Sequence, residues 1–149
     1  MACLSGASAL SLEVKQKSEA ITGSRIIEGY GMSETSPLLT ASPFHKYKEN
    51  TVGFPVSDTY TKIVDPEVGN KILPQCPKED CSDCGVDETK YIGEICGSGP
   101  QLMLGYLNRP EATERALRKG DHGRIWYYTA DIGCIDKDGY LRIKDRKRD

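Results

Sequence analysis

Short runs of β-prone residues, separated by turn signals, dominate the sequence after Asn50. Five of these runs are expected to form strands: residues 60–64, 91–96, 125–129, 132–136 and 140–144. Between the last two runs, Asp138-Gly139 is a dipeptide that favours a tight hairpin turn. The pattern predicts a mainly antiparallel β region over residues 51–142.

A helical pattern precedes this region. Four positions recur at helical spacing and predict a helix over residues 9–21. They are Leu10, Val14, Lys17 and Ile21. Ser8 or Ser11 could cap the start of this helix, and Gly23 lies just past its end.

Two shorter strands and a second helix are also expected. The β-branched run 25–28 predicts a strand that ends in a glycine-bounded loop, and residues 38–41 predict another. Pro110 suits the first position of a helix, where Glu111 and Glu114 are favoured by the helix dipole.

Composition limits the class of protein. A chain of 149 residues is long enough for one modest domain. We expect an α+β fold, in which an α/β piece over residues 1–50 precedes the antiparallel β region. The net charge of −2 argues against a nucleic-acid partner, and the absence of a long apolar run argues against a transmembrane segment. The first residues do not resemble a secretory signal, so we expect a cytoplasmic protein.

The loop Gly29-Tyr30-Gly31-Met32-Ser33-Glu34-Thr35 carries the densest set of candidate functional groups. Its glycines would let the backbone approach a ligand, and a hydroxyl and a carboxylate follow the aromatic residue. Loops that follow strands in α/β sheets often bind ligands. Taken alone, such a segment is more often a plain turn than a binding site, and it lacks the third glycine of a dinucleotide-binding loop.

Two later segments add candidates. The first runs from Gly93 through Tyr106 into Asn108-Arg109-Pro110-Glu111-Ala112-Thr113. The second is Trp126-Tyr127-Tyr128-Thr129-Ala130-Asp131-Ile132-Gly133, followed after the hairpin by Asp145-Arg146-Lys147-Arg148-Asp149. Taken alone, Asp131 is consistent with a turn acid, Arg146 with a solvated tail, and Glu94 and Tyr106 with structural residues.

Together, in this order, these segments resemble the adenylate-forming superfamily, most closely its fatty acyl-CoA synthetases. The resemblance implies that the chain is the end of an α/β subdomain followed by an antiparallel, β-barrel-like subdomain of the large N-terminal domain, with residues 143–149 at the interdomain hinge. It also implies a ligase that joins a carboxylic acid to ATP and passes the acyl group to coenzyme A. Ser5-Gly6-Ala7 looks like a turn near the acyl pocket of that family.

The resemblance implies roles for individual residues. Ser33 and Glu34 would be catalytic, the serine donating to the α-phosphate and the glutamate binding Mg²⁺, which prefers carboxylate and phosphate oxygen. The nucleotide would also be bound by four other residues. They are Tyr30, whose flat apolar face would lie beside the adenine and acyl chain, Gly31, Asp131, which would accept from both ribose hydroxyls, and Arg146, which would reach the ribose from the other side.

The chain departs from the family pattern in two ways that bear on activity. The phosphate-binding loop and the C-terminal lysine domain are absent, which suggests an internal fragment that does not catalyse adenylation alone. Ala130 stands where the family typically has glycine; if its φ is positive, the Cβ costs about 1 kcal/mol.

Residues 75–90 form a cysteine-rich, acidic segment. Cys76, Cys81 and Cys84 have C-x4-C-x2-C spacing, which could supply three ligands of a zinc or iron–sulfur site, with Cys96 or another residue as the fourth. The alternative is an exposed loop of reduced thiols.

Three functions therefore remain open from the sequence. The favoured hypothesis is part of an AMP-forming acyl-CoA ligase that uses ATP, Mg²⁺, coenzyme A and a long-chain or medium-chain acid. The alternatives are a metal-binding or redox module built on the cysteines, and a non-catalytic nucleotide-binding remnant. If the substrate is a fatty acid, peripheral contact with a membrane surface is consistent with this hypothesis.

Overall fold

The computed structural model describes residues 2–79 and 90–146. It contains two helices and nine strands in that part of the chain. In chain order the elements are β1 (Ala2–Ser5), α1 (Leu12–Thr22), β2 (Arg25–Gly31), β3 (Leu38–Ala41), β4 (Phe54–Pro55), β5 (Tyr60–Val64), β6 (Gly93–Ser98), α2 (Pro110–Ala116), β7 (Leu117–Lys119), β8 (Ile125–Ile135) and β9 (Leu141–Arg146). Neither helix is long and apolar enough to cross a membrane.

The first sheet has four strands in the order β1-β2-β3-β4. Strands β1 and β2 are parallel, and α1 connects them. The Ser11 side chain caps α1 by accepting from the Val14 N–H, and Gly23 ends it in the left-handed conformation. Strands β3 and β4 continue the sheet in antiparallel order.

The second sheet has five strands, in the order β5-β6-β8-β7 with β9 paired to β8. All of these pairings are antiparallel. The hairpin between β8 and β9 turns at Asp138-Gly139, and the Asp136 carboxylate fixes it by accepting from the N–H groups of Asp138 and Tyr140, both at 3.0 Å.

One hydrophobic core joins the two sheets. Its buried members come from both: Tyr30, Leu39, Ile63, Leu73, Ile95 and Leu141. The sheets approach so closely at Gly97 that a Cβ there would lie 2.4 Å from Leu39 Cδ2. This packing fixes the end of β2 against the middle of β8, where the candidate site lies.

Most predicted elements are confirmed, with four differences. The runs 125–129 and 132–136 form one continuous strand, β8. The first sheet takes β4 from beyond residue 50, and the short strands β1 and β7 lie outside every predicted run. Within the part of the chain that the structure describes, the strands form mixed sheets rather than a closed barrel, so the barrel-like description holds only loosely.

The residues whose spacing predicted α1 do not form its buried side. Val14 and Ile21 are 54% and 85% exposed, whereas Lys15 is buried. The Lys15 ammonium lies 3.3 Å from the centroid of the Tyr47 ring, so its charge is placed on an aromatic face. Hydrophobic spacing alone did not indicate that a lysine stem and an aromatic ring would bury this side of the helix.

Candidate functional site

A cleft of about 540 Å³ opens where the end of β2 meets the β8–β9 hairpin and the turn after β1. Tyr30, Gly31, Glu34, Asp131 and Arg146 all line it. Ser5, the last residue of β1, and Ala7, in the turn that follows it, line the cleft too. Five of the six predicted nucleotide-site residues, which are far apart in the sequence, therefore converge on one cavity of a size typical for small-molecule sites.

The β8–β9 hairpin brings Asp131 and Arg146 together. Asp131 on β8 and Arg146 on β9 are direct partners across the antiparallel pair. Residues opposite each other on such a pair direct their side chains to the same face. The hairpin thus places a carboxylate and a guanidinium side by side at one wall of the cleft.

Tyr30 anchors Asp131 from the opposite sheet. Its hydroxyl donates to Asp131 Oδ2 at 2.7 Å, and the ring is only 8% exposed. Burial raises the pKa of Tyr30 well above its ordinary value, and the hydrogen bond to Asp131 adds to that shift. The buried ring offers little of its face to a ligand, so its clearest contact is with the carboxylate.

A second tyrosine holds Glu34. Glu34 lies in the 3-10 turn Ser33–Thr35, and its Oε1 accepts from the Tyr106 hydroxyl at 2.8 Å. The Met103 N–H also donates to the Glu34 carbonyl oxygen at 2.9 Å. Oε2 accepts no hydrogen bond from residues 2–79 or 90–146 and remains available to a cation. Burial raises the pKa of Tyr106, so the phenol stays a donor at neutral pH.

The backbone beside Asp131 has an unusual conformation. Ala130 has a φ of +61°, the left-handed region that favours glycine. Its N–H donates to Oε1 of the buried Glu94 at 3.1 Å, and the Asp131 N–H donates to Thr129 Oγ1 at 3.1 Å. These bonds hold the strand in the bent path that directs the Asp131 carboxylate.

Gly31 and Ser33, both in the predicted loop, differ in their relation to the cleft. Position 31 must be glycine because of local packing, since a Cβ there would lie 1.7 Å from the Pro37 carbonyl oxygen. Ser33 is exposed and is not among the residues that line the cleft. Its expected contact with a phosphate remains a prediction.

Sequence reasoning missed several residues that build the site. Tyr127 and Thr129 line the cleft, although neither was a candidate site residue. Tyr106 and Glu94 were interpreted as structural, yet each directly holds a group beside the cleft. The alternation of β8 could have indicated Tyr127 and Thr129, because both lie on the same face as Asp131.

The cysteine hypothesis falls mostly outside the described residues. Cys81 and Cys84 are not described, while Cys76 is fully buried and disulfide-bonded. Cys76 therefore differs from the expected exposed, reduced thiol. Within residues 2–79 and 90–146 no group of three or more potential ligands could hold a metal ion.

The family model of AMP-binding enzymes matches residues 1–107. The chain therefore belongs to the AMP-binding enzyme family.

Relatives within the family are acyl-CoA ligases. The chain is 40% identical over 148 residues to a long-chain-fatty-acid–CoA ligase of Bacillus subtilis, covering 99% of this chain and 23% of the relative. A solved long-chain-fatty-acid–CoA ligase from Archaeoglobus fulgidus matches with a TM-score of 0.82 at 25% identity, over 99% of this chain and 28% of that one. ATP-bound MatB from Rhodopseudomonas palustris matches with a TM-score of 0.76 at 32% identity, over 98% and 25% of the two chains. The chain thus spans about a quarter of the length of these relatives, and it matches part of the N-terminal domain of adenylate-forming enzymes.

Proposed function

We propose that the cleft binds the adenosine monophosphate part of ATP and of an acyl-adenylate in an AMP-forming fatty acid–CoA ligase. In this reaction the carboxylate attacks the α-phosphate and releases pyrophosphate, and the thiol of coenzyme A then displaces AMP to give the thioester. The convergence of Glu34, Asp131 and Arg146 on one cavity carries the proposal. Long-chain acids are favoured because the Bacillus and Archaeoglobus relatives are named for them.

Asp131 is the proposed ribose ligand. A carboxylate has about four lone-pair sites, and Tyr30 occupies one of them on Oδ2. Both ribose hydroxyls can therefore still donate to Asp131. Arg146, on the neighbouring strand, lies at the same wall and would donate to ribose or phosphate oxygen.

Glu34 is the proposed Mg²⁺ ligand. Mg²⁺ is usually bound by one or two carboxylates together with substrate phosphates and water. Glu34 fits this donor set, because Tyr106 orients its carboxylate through Oε1 and leaves Oε2 available. The metal ion, when bound, would neutralise phosphate charge. Ser33, which is exposed and does not line the cleft, is the proposed donor to the α-phosphate.

The chain by itself is expected to bind AMP without forming an adenylate. We assign described residues to ribose, metal and α-phosphate contacts, and none of them to the β- and γ-phosphates. Pyrophosphate exchange dependent on a fatty acid would contradict this part of the proposal without affecting the assignment of the nucleotide site.

Calorimetric titration with AMP and 2′-deoxy-AMP tests the ribose assignment. An unsatisfied hydrogen bond to a charged group costs about 1.5–3 kcal/mol, so the chain should bind AMP at least about tenfold more tightly than the deoxynucleotide. In Asp131→Asn this preference should largely disappear. Asp58→Asn is the matched control, since Asp58 is an exposed turn residue that does not line the cleft. If wild type and Asp131→Asn prefer AMP over 2′-deoxy-AMP to the same extent, the assignment is refuted.

A further inference from the structure

Tyr127 lies in β8 with its ring on the side of the strand that faces the cleft. The rings on either side of it, Trp126 and Tyr128, point to the other face of the sheet, where Lys62 and Arg118 lie over them. Tyr127 is 5% exposed and lines the cleft. Packing accounts for the burial of its ring, but a buried phenol hydroxyl also requires a hydrogen-bond partner.

The partner of this hydroxyl is a second tyrosine, Tyr106. Burial raises the pKa of both phenols, and the hydrogen bond between them adds to the shift of Tyr127 and opposes the shift of Tyr106. A hydrogen bond favours the protonated form of its donor and the ionised form of its acceptor, so Tyr127 donates and the Tyr106 oxygen accepts. The Tyr106 hydroxyl in turn donates to Glu34 Oε1 at 2.8 Å. Three side chains therefore form one chain of hydrogen bonds that runs from β8 to Glu34.

Donation from Tyr127 decides where the Tyr106 hydroxyl hydrogen points. A phenol has one hydrogen, which can rotate toward one neighbour or another. Because the Tyr127 hydrogen already occupies one side of the Tyr106 oxygen, the hydrogen of Tyr106 is directed to Glu34. Hydrogen bonds that all run in the same direction also polarise one another, which strengthens the last bond, the one to the carboxylate.

The backbone fixes both tyrosines of this chain. Tyr127 is paired with Gly97 of β6 on one side and with Leu117 of β7 on the other. The Tyr106 N–H donates to Thr113 Oγ1 of α2 at 2.9 Å. The two phenols are therefore anchored from separate elements, and the carboxylate at the end of the chain is held in one orientation.

We propose that Tyr127 is a positioning residue for the metal site and acts through Tyr106 to keep the Glu34 carboxylate in the orientation that binds Mg²⁺. The inference rests on the proposed function, which assigns Glu34 to the metal ion of a magnesium–nucleotide complex. The role requires no contact between Tyr127 and the substrate. It requires only the hydroxyl group, and a phenylalanine ring would fill the same space without it.

Carbon-13 NMR tests the hydrogen-bond chain without any nucleotide. In protein labelled at tyrosine Cζ, each resonance responds to the hydrogen bonds of its phenol, and Tyr106→Phe identifies the Tyr106 resonance. Tyr127→Phe removes only a hydroxyl, and the Tyr106 resonance should shift. Tyr60→Phe is the matched control and should leave that resonance in place, because Tyr60 is half exposed on β5 and does not line the cleft. An unmoved Tyr106 resonance in Tyr127→Phe would overturn the proposal.

Calorimetric titration with ATP, with and without Mg²⁺, tests the effect on metal binding. Tyr127→Phe should reduce the gain in ATP affinity that Mg²⁺ provides by about two- to threefold, since Tyr106 still donates to Glu34 but through a weaker bond. Affinity for AMP and for ATP without Mg²⁺ should match wild type, as should Tyr60→Phe in every titration. If Tyr127 only packs the core, its variant would lower the melting temperature or weaken all titrations alike, and the gain from Mg²⁺ would not change.

The double variant Tyr106→Phe/Tyr127→Phe tests whether Tyr127 acts through Tyr106. It should lose no more of the Mg²⁺-dependent affinity than Tyr106→Phe does, because Tyr127 has no route to Glu34 once the Tyr106 hydroxyl is gone. Losses that multiply in the double variant would show that Tyr127 contributes independently, and the positioning role would then be wrong.

Nucleotide binding by wild type keeps the two proposals distinguishable. Normal AMP binding in wild type, together with an unchanged Mg²⁺ effect in Tyr127→Phe, would refute the positioning role alone. A wild-type chain that binds no AMP would refute the nucleotide site and, with it, the metal role of Glu34 that this inference requires, whatever the NMR spectra show.

Discussion

Replacing Ala130 with glycine is the sharpest test of how β8 presents Asp131. Ala130 has a φ of +61° in the middle of the strand, next to the carboxylate that lines the cleft. Its N–H donates to Glu94 Oε1, and a glycine retains that donor. The substitution therefore removes the Cβ while preserving the hydrogen bond that fixes this bend.

The expected change in the free energy of unfolding is the difference between two opposing effects of the substitution. An L-residue in the left-handed region costs about 1–2 kcal/mol, which glycine relieves. Glycine also increases the conformational entropy of the unfolded chain, at a cost of about 0.4–1 kcal/mol. We therefore expect Ala130→Gly to raise the free energy of unfolding by roughly 0.5–1 kcal/mol. AMP affinity should stay unchanged or improve, because the strand path is already the one that glycine prefers.

Urea unfolding of matched alanine variants measures this difference. Ala41→Gly is the control, since Ala41 lies in β3 and is not among the described residues with positive φ. In that variant the free energy of unfolding should fall by about 0.5–1 kcal/mol, the usual cost of glycine in a strand. A loss of similar size in Ala130→Gly would show that the bend at Ala130 is not strained. A clear weakening of AMP binding would show that the Cβ helps to position the site.

Three further substitutions test separate features. Gly31→Ala should lower the free energy of unfolding by about 3 kcal/mol in urea titrations, because its Cβ would overlap the Pro37 carbonyl oxygen. Tyr106→Phe should weaken Mg²⁺-dependent ATP binding by about fivefold in calorimetry while leaving AMP binding unchanged, since only the orientation of Glu34 is lost. Lys15→Met should raise the free energy of unfolding by about 1 kcal/mol at pH 7, because burial lowers the pKa of this lysine below its ordinary 10.5. The unfolded chain then binds more protons between the two pKa values, so the advantage of methionine should shrink in melts as the pH rises through that window.

The strands were predictable where alternation and turn chemistry agreed. Residues 60–64 and 38–41 match β5 and β3, and Asp138-Gly139 marks the hairpin. Strand β1 was missed because it takes its place by parallel pairing with β2, a non-local contact that leaves no local signal. The burial of Lys15 was missed for a related reason, since Tyr47 reaches it from a distant loop.

The two acidic residues of the candidate site could be predicted from the sequence, whereas the residues that hold them in place could not. Glu34 and Asp131 lie in segments that resemble motifs of the family, and both line the cleft. Tyr106 and Glu94 act only through contacts across the fold, so sequence spacing could not assign them. The hydrogen bond from Tyr30 to Asp131 was also not predictable, because the two residues are 101 positions apart in the sequence.

Both carboxylates at the cleft accept a hydrogen bond from a tyrosine hydroxyl, and this arrangement suits the chemistry proposed for them. Tyr30 holds Asp131 and Tyr106 holds Glu34, each through a neutral phenol whose pKa is raised by burial. A lysine or arginine in either place would fix the carboxylate but also cancel its charge. A neutral donor orients one oxygen and leaves the negative charge available for a ribose hydroxyl or a cation. The proposed chemistry requires that both acids be held in position and keep their negative charge, and a hydrogen bond from a tyrosine hydroxyl holds each carboxylate without cancelling that charge.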